Sequence, residues 1–204
     1  MTEAEWHTCR DALEMLRAIR MSVGTRKKEL FECACCRHQW VQLSPKCHRL
    51  VAQMERHADD PTQPEVGDEL VTEFHAARLE APAQMQGAFD ALILSVCGYW
   101  EVEPDERADD DLAWREELYA QSLLVRDIFG NPFRLVSIDP SWLTSTVVSL
   151  ARQMYESRDF SAMPILADAL QDAGCDNTAI LDHCRGPGPH TRGCWVVDKL
   201  LSRE

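Results

Sequence analysis

Four side chains near the C-terminus have the types that bind borderline-soft divalent metals: Cys175, Cys184, His190 and Cys194. Eight, five and three residues separate them in turn. Thiolates and imidazoles in a set of four can satisfy tetrahedral zinc. Gly186-Pro-Gly-Pro189 supplies a turn that would bring His190 and Cys194 back towards Cys184. No pair has the short CxxC spacing of a zinc knuckle, so the competing reading is a Gly/Pro-defined turn with buried cysteines and a partly exposed histidine. The same stretch admits nucleophilic chemistry, with Cys194 or Cys184 as thiolate, His183 or His190 as base, and Asp182 or Asp198 as orienting acid. Partners of that kind usually converge from distant parts of a chain, so their closeness in sequence adds little.

A second group lies in Leu30-Phe31-Glu32-Cys33-Ala34-Cys35-Cys36-Arg37-His38-Gln39-Trp40. Cys33 and Cys36 have CxxC spacing and Cys47-His48 follows, which admits a metal or redox cluster. A zinc CxxC normally sits on a tight turn that aims both thiolates at one point, whereas no Gly or Pro interrupts the helical pattern here. The expectation is therefore cysteines filling a helix crossing as compact hydrophobes. The acidic run from Glu101 to Asp111 lacks the alternating ligands, glycine and terminal Glu of a calcium loop and reads as a solvated linker and helix start. His75 and Cys97 are solitary and read as structural. There is no phosphate-cradling glycine loop, HExxH or nucleophile elbow.

Helices must position these groups. Thr2 and Glu5 form a capping-box pattern, and apolar residues at three- and four-residue spacing carry the first helix towards Met21, with a possible break at Cys9-Arg10-Asp11. Gly24 ends that segment and Thr25 can cap the next, over 26–43. Further helices are expected at 46–57, 66–79, 83–100, 112–129, 145–156 and 178–184, and another begins at Pro164. The segment 83–100 is the most apolar and is the expected central buried helix. Asp59-Asp-Pro-Thr-Gln-Pro64 is the clearest loop. Between Gly130 and Thr144 the helical rhythm fails, and Phe133, Leu135, Val136 and Ile138 between two prolines predict an extended strap near 131–142. Gly174 is a natural helix stop, and Asp176 or Asn177 can cap the helix at 178–184.

The composition, 45% hydrophobic and 27% charged, is that of a globular chain. Net charge is −13 and unevenly spread: residues 59–118 carry three Lys/Arg against seventeen Asp/Glu, while residues 1–58 carry ten against seven. An acidic block opposes binding to a phosphate backbone, so no direct nucleic-acid binding is expected and the acidic third should face a protein partner with a basic surface. The start lacks a secretory pattern and no window approaches a membrane span, which predicts a cytoplasmic protein without a membrane role. Nine cysteines, an odd number, fit free thiols in a reducing compartment.

Four stretches carry a resemblance. Met1-Thr-Glu-Ala-Glu-Trp6, Leu30-Phe31-Glu-Cys-Ala-Cys-Cys-Arg37, Val125-Arg-Asp-Ile-Phe-Gly-Asn-Pro-Phe-Arg134, and Pro164 to Cys175 continued by Arg192-Gly-Cys-Trp-Val-Val-Asp198 resemble a family of uncharacterised bacterial proteins of planctomycete type. The resemblance covers both ends of the chain, and residues 60–120 share only helical character with it. It implies a helical fold and a bacterial cytoplasmic setting, with no catalytic residue to transfer. The expectations are an all-α, irregular multi-helix bundle of about eight to ten helices in one domain. Any internal boundary should fall at 59–65, with a helical closing unit at 164–204. The expected function is a non-enzymatic interaction or adaptor module without a required cofactor. The alternative is a zinc-binding or thiol-dependent enzyme using Cys175, Cys184, His190 and Cys194.

Overall fold

Side-chain caps set where half of the described helices begin. In a computed structural model, which describes residues 1–19, 24–65, 67–80 and 112–203, there are ten α-helices and no strand among the described residues. The fold is all-α. Backbone contacts divide the chain into two compact units, residues 1–125 and 126–204.

In the first unit, Thr2 and Glu5 form a complete capping box at the start of α1 (Glu3–Thr8). The break near Cys9 is real: Asp11 accepts hydrogen bonds from the amides of Leu13 (2.8 Å) and Glu14 (3.1 Å), which starts α2 (Ala12–Ile19) afresh. α3 (Thr25–His38) follows Gly24 without a side-chain cap, so Thr25 is its first residue and not the cap expected of it. α3 also stops earlier than the periodicity predicts. Gln39 leaves helical geometry and gives its side-chain amide to Glu117, and Trp40–Gln42 form a single 3-10 turn. Ser44 caps α4 (Pro45–Asp59), with Pro45 in the first turn where a missing amide costs nothing.

α3 packs along α4, with the Cys33 thiol 3.8 Å from the Val51 carbonyl oxygen, and Leu30, Phe31, Cys36, Cys47, Leu50 and Val51 are all buried. Arg37 crosses the same seam as a bidentate partner of the buried Glu55. α5 (Gly67–Glu80) packs on α4, and Lys46 reaches Glu73 (2.8 Å) and Glu69 (3.0 Å). The helix expected at 83–100 and the acidic run 101–111 lie outside the described residues. α6 (Leu112–Phe129) coincides with its expected span.

The second unit opens with the last turn of α6, which ends at Gly130 in the left-handed region (φ +67°). The strap expected at 131–142 is shorter: a turn occupies 132–133, the chain runs without helix, turn or bend from Leu135 to Asp139, and Pro140–Trp142 form a 3-10 turn. Three helices then build the core: α7 (Ser145–Ser157), capped by Thr144; α8 (Met163–Asp172); and α9 (Thr178–Arg185), whose first amides bond to Asn177. α10 (Trp195–Leu200) packs on α7, and α9 on α8. Tyr155, Leu166, Leu170, Ile180, Val196 and Val197 meet in one apolar cluster that also contains Cys175, Cys184 and Cys194.

Candidate metal centre

Asp127 sits in the last turn of α6, where the helix turns one carboxylate into the core of the second unit; it is 2% exposed. His183 projects from the last turn of α9. Gly186-Pro-Gly-Pro189 ends α9 and reverses the chain to His190. A β-turn then follows, in which the Cys194 amide donates to the Thr191 carbonyl (2.9 Å) while Gly193 takes φ +93°. That φ at the third turn position is what a type II turn requires and glycine supplies. The turn places Cys194 as the residue preceding α10.

These elements bring four donors together. One ligand atom from each of Asp127, His183, His190 and Cys194 lies within 4.8 Å of all the others. His183 Nε2 is 3.2 Å from Cys194 Sγ and 3.2 Å from Asp127 Oδ1. His190 Nδ1 is 2.8 Å from the same Oδ1, and the Thr191 amide donates to Oδ2 (3.0 Å). A buried group of one carboxylate, two imidazoles and one thiol can hold a metal ion.

Electrostatics follow from this crowding. Burial alone would raise the Asp127 carboxyl, but hydrogen bonds from His183 and His190 outweigh it and hold the pKa below the usual carboxylate range. Burial, followed by the charge of Asp127, pushes the Cys194 thiol well above its ordinary pKa, with the Val197 and Val196 amides opposing. His190 Nε2 is buried without a hydrogen-bond partner among the described residues. Native chains rarely leave such an atom unsatisfied.

Of the four ligands expected from sequence, His190 and Cys194 enter the group, whereas Cys175 and Cys184 line the neighbouring apolar cluster. Burial first, then Asp127 and Cys175, push the Cys184 thiol up to about 12. His183, expected only as a base, joins the group. Neither candidate orienting acid does: Asp182 is exposed, and Asp198 is buried in α10 outside the group. Asp127 takes that place from 56 residues upstream of His183. Its only sequence signal was a lone acid near a helix end.

In the first unit Cys33, Cys35, Cys36 and Cys47 are all buried, and no metal-holding group forms there among the described residues. His48 is engaged elsewhere, stacked on Trp40 (3.8 Å between centroids) with Nε2 2.9 Å from the Trp40 carbonyl oxygen. No protein family, curated protein or solved structure matches the chain. No described helix is long and apolar enough to cross a membrane.

Proposed function

We propose that the second unit is a zinc-binding module in which Asp127, His183, His190 and Cys194 hold one ion in a closed, structural site. The supporting observation is the position of His183 Nε2, equally close to Cys194 and to Asp127. Tetrahedral zinc with bonds of about 2.0–2.3 Å separates its ligands by about 3.3–3.8 Å, so small outward shifts of these donors make room for it. The charges also fit: an Asp carboxylate and a Cys thiolate with two neutral imidazoles cancel a divalent cation, as a buried site requires. Four protein ligands leave no open position for a substrate, which favours a structural over a catalytic ion.

A thiol enzyme with His183 as its base has less support from the same geometry. A relay needs the base to face its nucleophile with one ring nitrogen and its acid with the other. Here Nε2 of His183 faces both. The decisive measurement is metal content of protein purified without chelator. One zinc per chain is expected, lost in Cys194→Ser and in His183→Ala. A metal-free protein that takes up no zinc at micromolar concentration would sink the proposal.

Zinc in this role supports a non-enzymatic binding module. The concentration of acid in residues 59–118 favours a basic protein partner. Failure of low-salt pull-downs to recover any specific basic protein would remove that part.

A further inference from the structure

The imidazole of His183 is oriented without the bond that usually orients such a ring. A metal-ligating histidine normally donates its second ring N–H to a carboxylate, a carbonyl or water, and that outer bond fixes the tautomer and the tilt of the ring. In His183 both polar contacts, 3.2 Å to Cys194 Sγ and 3.2 Å to Asp127 Oδ1, belong to Nε2, and Nδ1 makes no hydrogen bond with the chain among the described residues. Two rings lie against it instead. The Trp195 indole is 5.2 Å away between centroids at 55°, and the His190 imidazole 4.9 Å away at 72°. Both separations fall within the roughly 4.5–7 Å that aromatic pairs favour. His190 is itself a donor of the group, tied to Asp127 through Nδ1, whereas Trp195 offers no ligand atom.

We infer that Trp195 is the positioning residue of the metal centre, its indole holding the His183 ring with Nε2 turned towards Cys194 and Asp127. The inference deepens the zinc reading and rests on it for the effect on metal affinity. Three features suit Trp195 to this role. It is the first residue of α10 and follows Cys194 directly, so the wall and the thiol are fixed together. A Cβ on Gly130 would stand 3.1 Å from Cγ of the indole, which puts the same ring against the backbone three residues after Asp127. With 9% exposure in a close-packed core, the side chain has little room to swing away. One indole thus touches both the end of α6, which carries Asp127, and the last turn of α9, which carries His183. A tryptophan that merely filled the core would stabilise the unit without setting where Nε2 points, and experiment separates the two roles.

Two measurements on the full chain test it, one with metal and one without. In zinc titrations against a chromogenic chelator, Trp195→Ala should lower affinity about tenfold or more, and Trp195→Phe, which keeps a ring beside His183, should recover most of that loss. Val147→Ala trims another fully buried side chain of the same core and should lower the melting temperature while leaving zinc affinity as in the wild type. In chelator-treated protein, NMR should show cross-relaxation between the indole and the His183 ring protons, and side-chain couplings of a single His183 rotamer. Trp195→Ala should average those couplings over several rotamers, and Val147→Ala should not. A wild type that takes up no zinc would defeat the zinc reading, and the metal-free measurement would then decide on Trp195 alone. A His183 ring that keeps one rotamer in Trp195→Ala overturns the inference. So does a zinc affinity in that variant within about threefold of wild type, or a loss that Val147→Ala reproduces.

Discussion

Asp127 has company that a surface carboxylate lacks: two imidazoles on Oδ1 and a backbone amide on Oδ2. Its replacement by Asn removes the charge while keeping the shape. Asp127→Asn should lower zinc affinity by at least about a hundredfold, read by competition with a chromogenic chelator, while Asp182→Asn at the exposed neighbour of His183 should leave it unchanged. A second residue-scale prediction concerns Glu32 in α3, whose carboxyl burial pushes up to about 8, Lys28 only partly offsetting it. The folded state then holds this proton more tightly than the unfolded chain. Below the ordinary value of 4.5 both states are protonated and there is no penalty; between 4.5 and about 8 stability falls as pH rises. Glu32→Gln should flatten the melting temperature between pH 5 and pH 8, an effect on the order of a few kcal/mol at most. His190 and Cys194 were legible from residue type and from the Gly/Pro turn that precedes them. Asp127 was not, because its role depends on where α6 ends in space. Cys184 looks as good a ligand as Cys194 in sequence; both join the apolar cluster, and only Cys194 comes within reach of Asp127 and the two histidines.

At the scale of elements, the junction of α6 and α10 depends on one absent methyl group. Gly130 takes φ +67°, and a Cβ there would lie 3.1 Å from Cγ of the Trp195 ring, next to Cys194. Gly130→Ala should destabilise the second unit by about 1–3 kcal/mol in urea melts, strain and clash together. Gly174, at φ +92° with open space around its Cβ position, carries the strain alone, so Gly174→Ala should cost less. The helix starts at Thr2, Thr144 and Asn177 were legible because a cap is a local bond, each residue accepting an amide a few residues ahead, whereas the Ser44 cap was not anticipated and Thr25 does not cap. The early end of α3 was hidden because tertiary partners determine it. Glu117 takes the Gln39 side chain, and Trp40 is held between the Arg37 guanidinium, 4.6 Å from its centroid, and the His48 ring.

For the molecule as a whole, the division into two units predicts that each should respond to what it contains. Chelation should speed hydrogen exchange in α9 and α10, around His183 and Cys194, and leave the α3–α4 seam unchanged. Equal loosening of both units would argue against a site confined to residues 126–204. Three of the four donors fall within a dozen residues, and the fourth lies at the far end of the unit. An ion shared among them would act as a reversible cross-link, closing a ring of about 68 residues between Asp127 and Cys194. By loop-closure entropy alone such a ring disfavours the unfolded chain by roughly 4 kcal/mol. The ring also crosses the exposed bond after Arg185, with Asp127 and His183 on one side and His190 and Cys194 on the other. Cleaved there, the chain should stay in one piece until the metal is withdrawn.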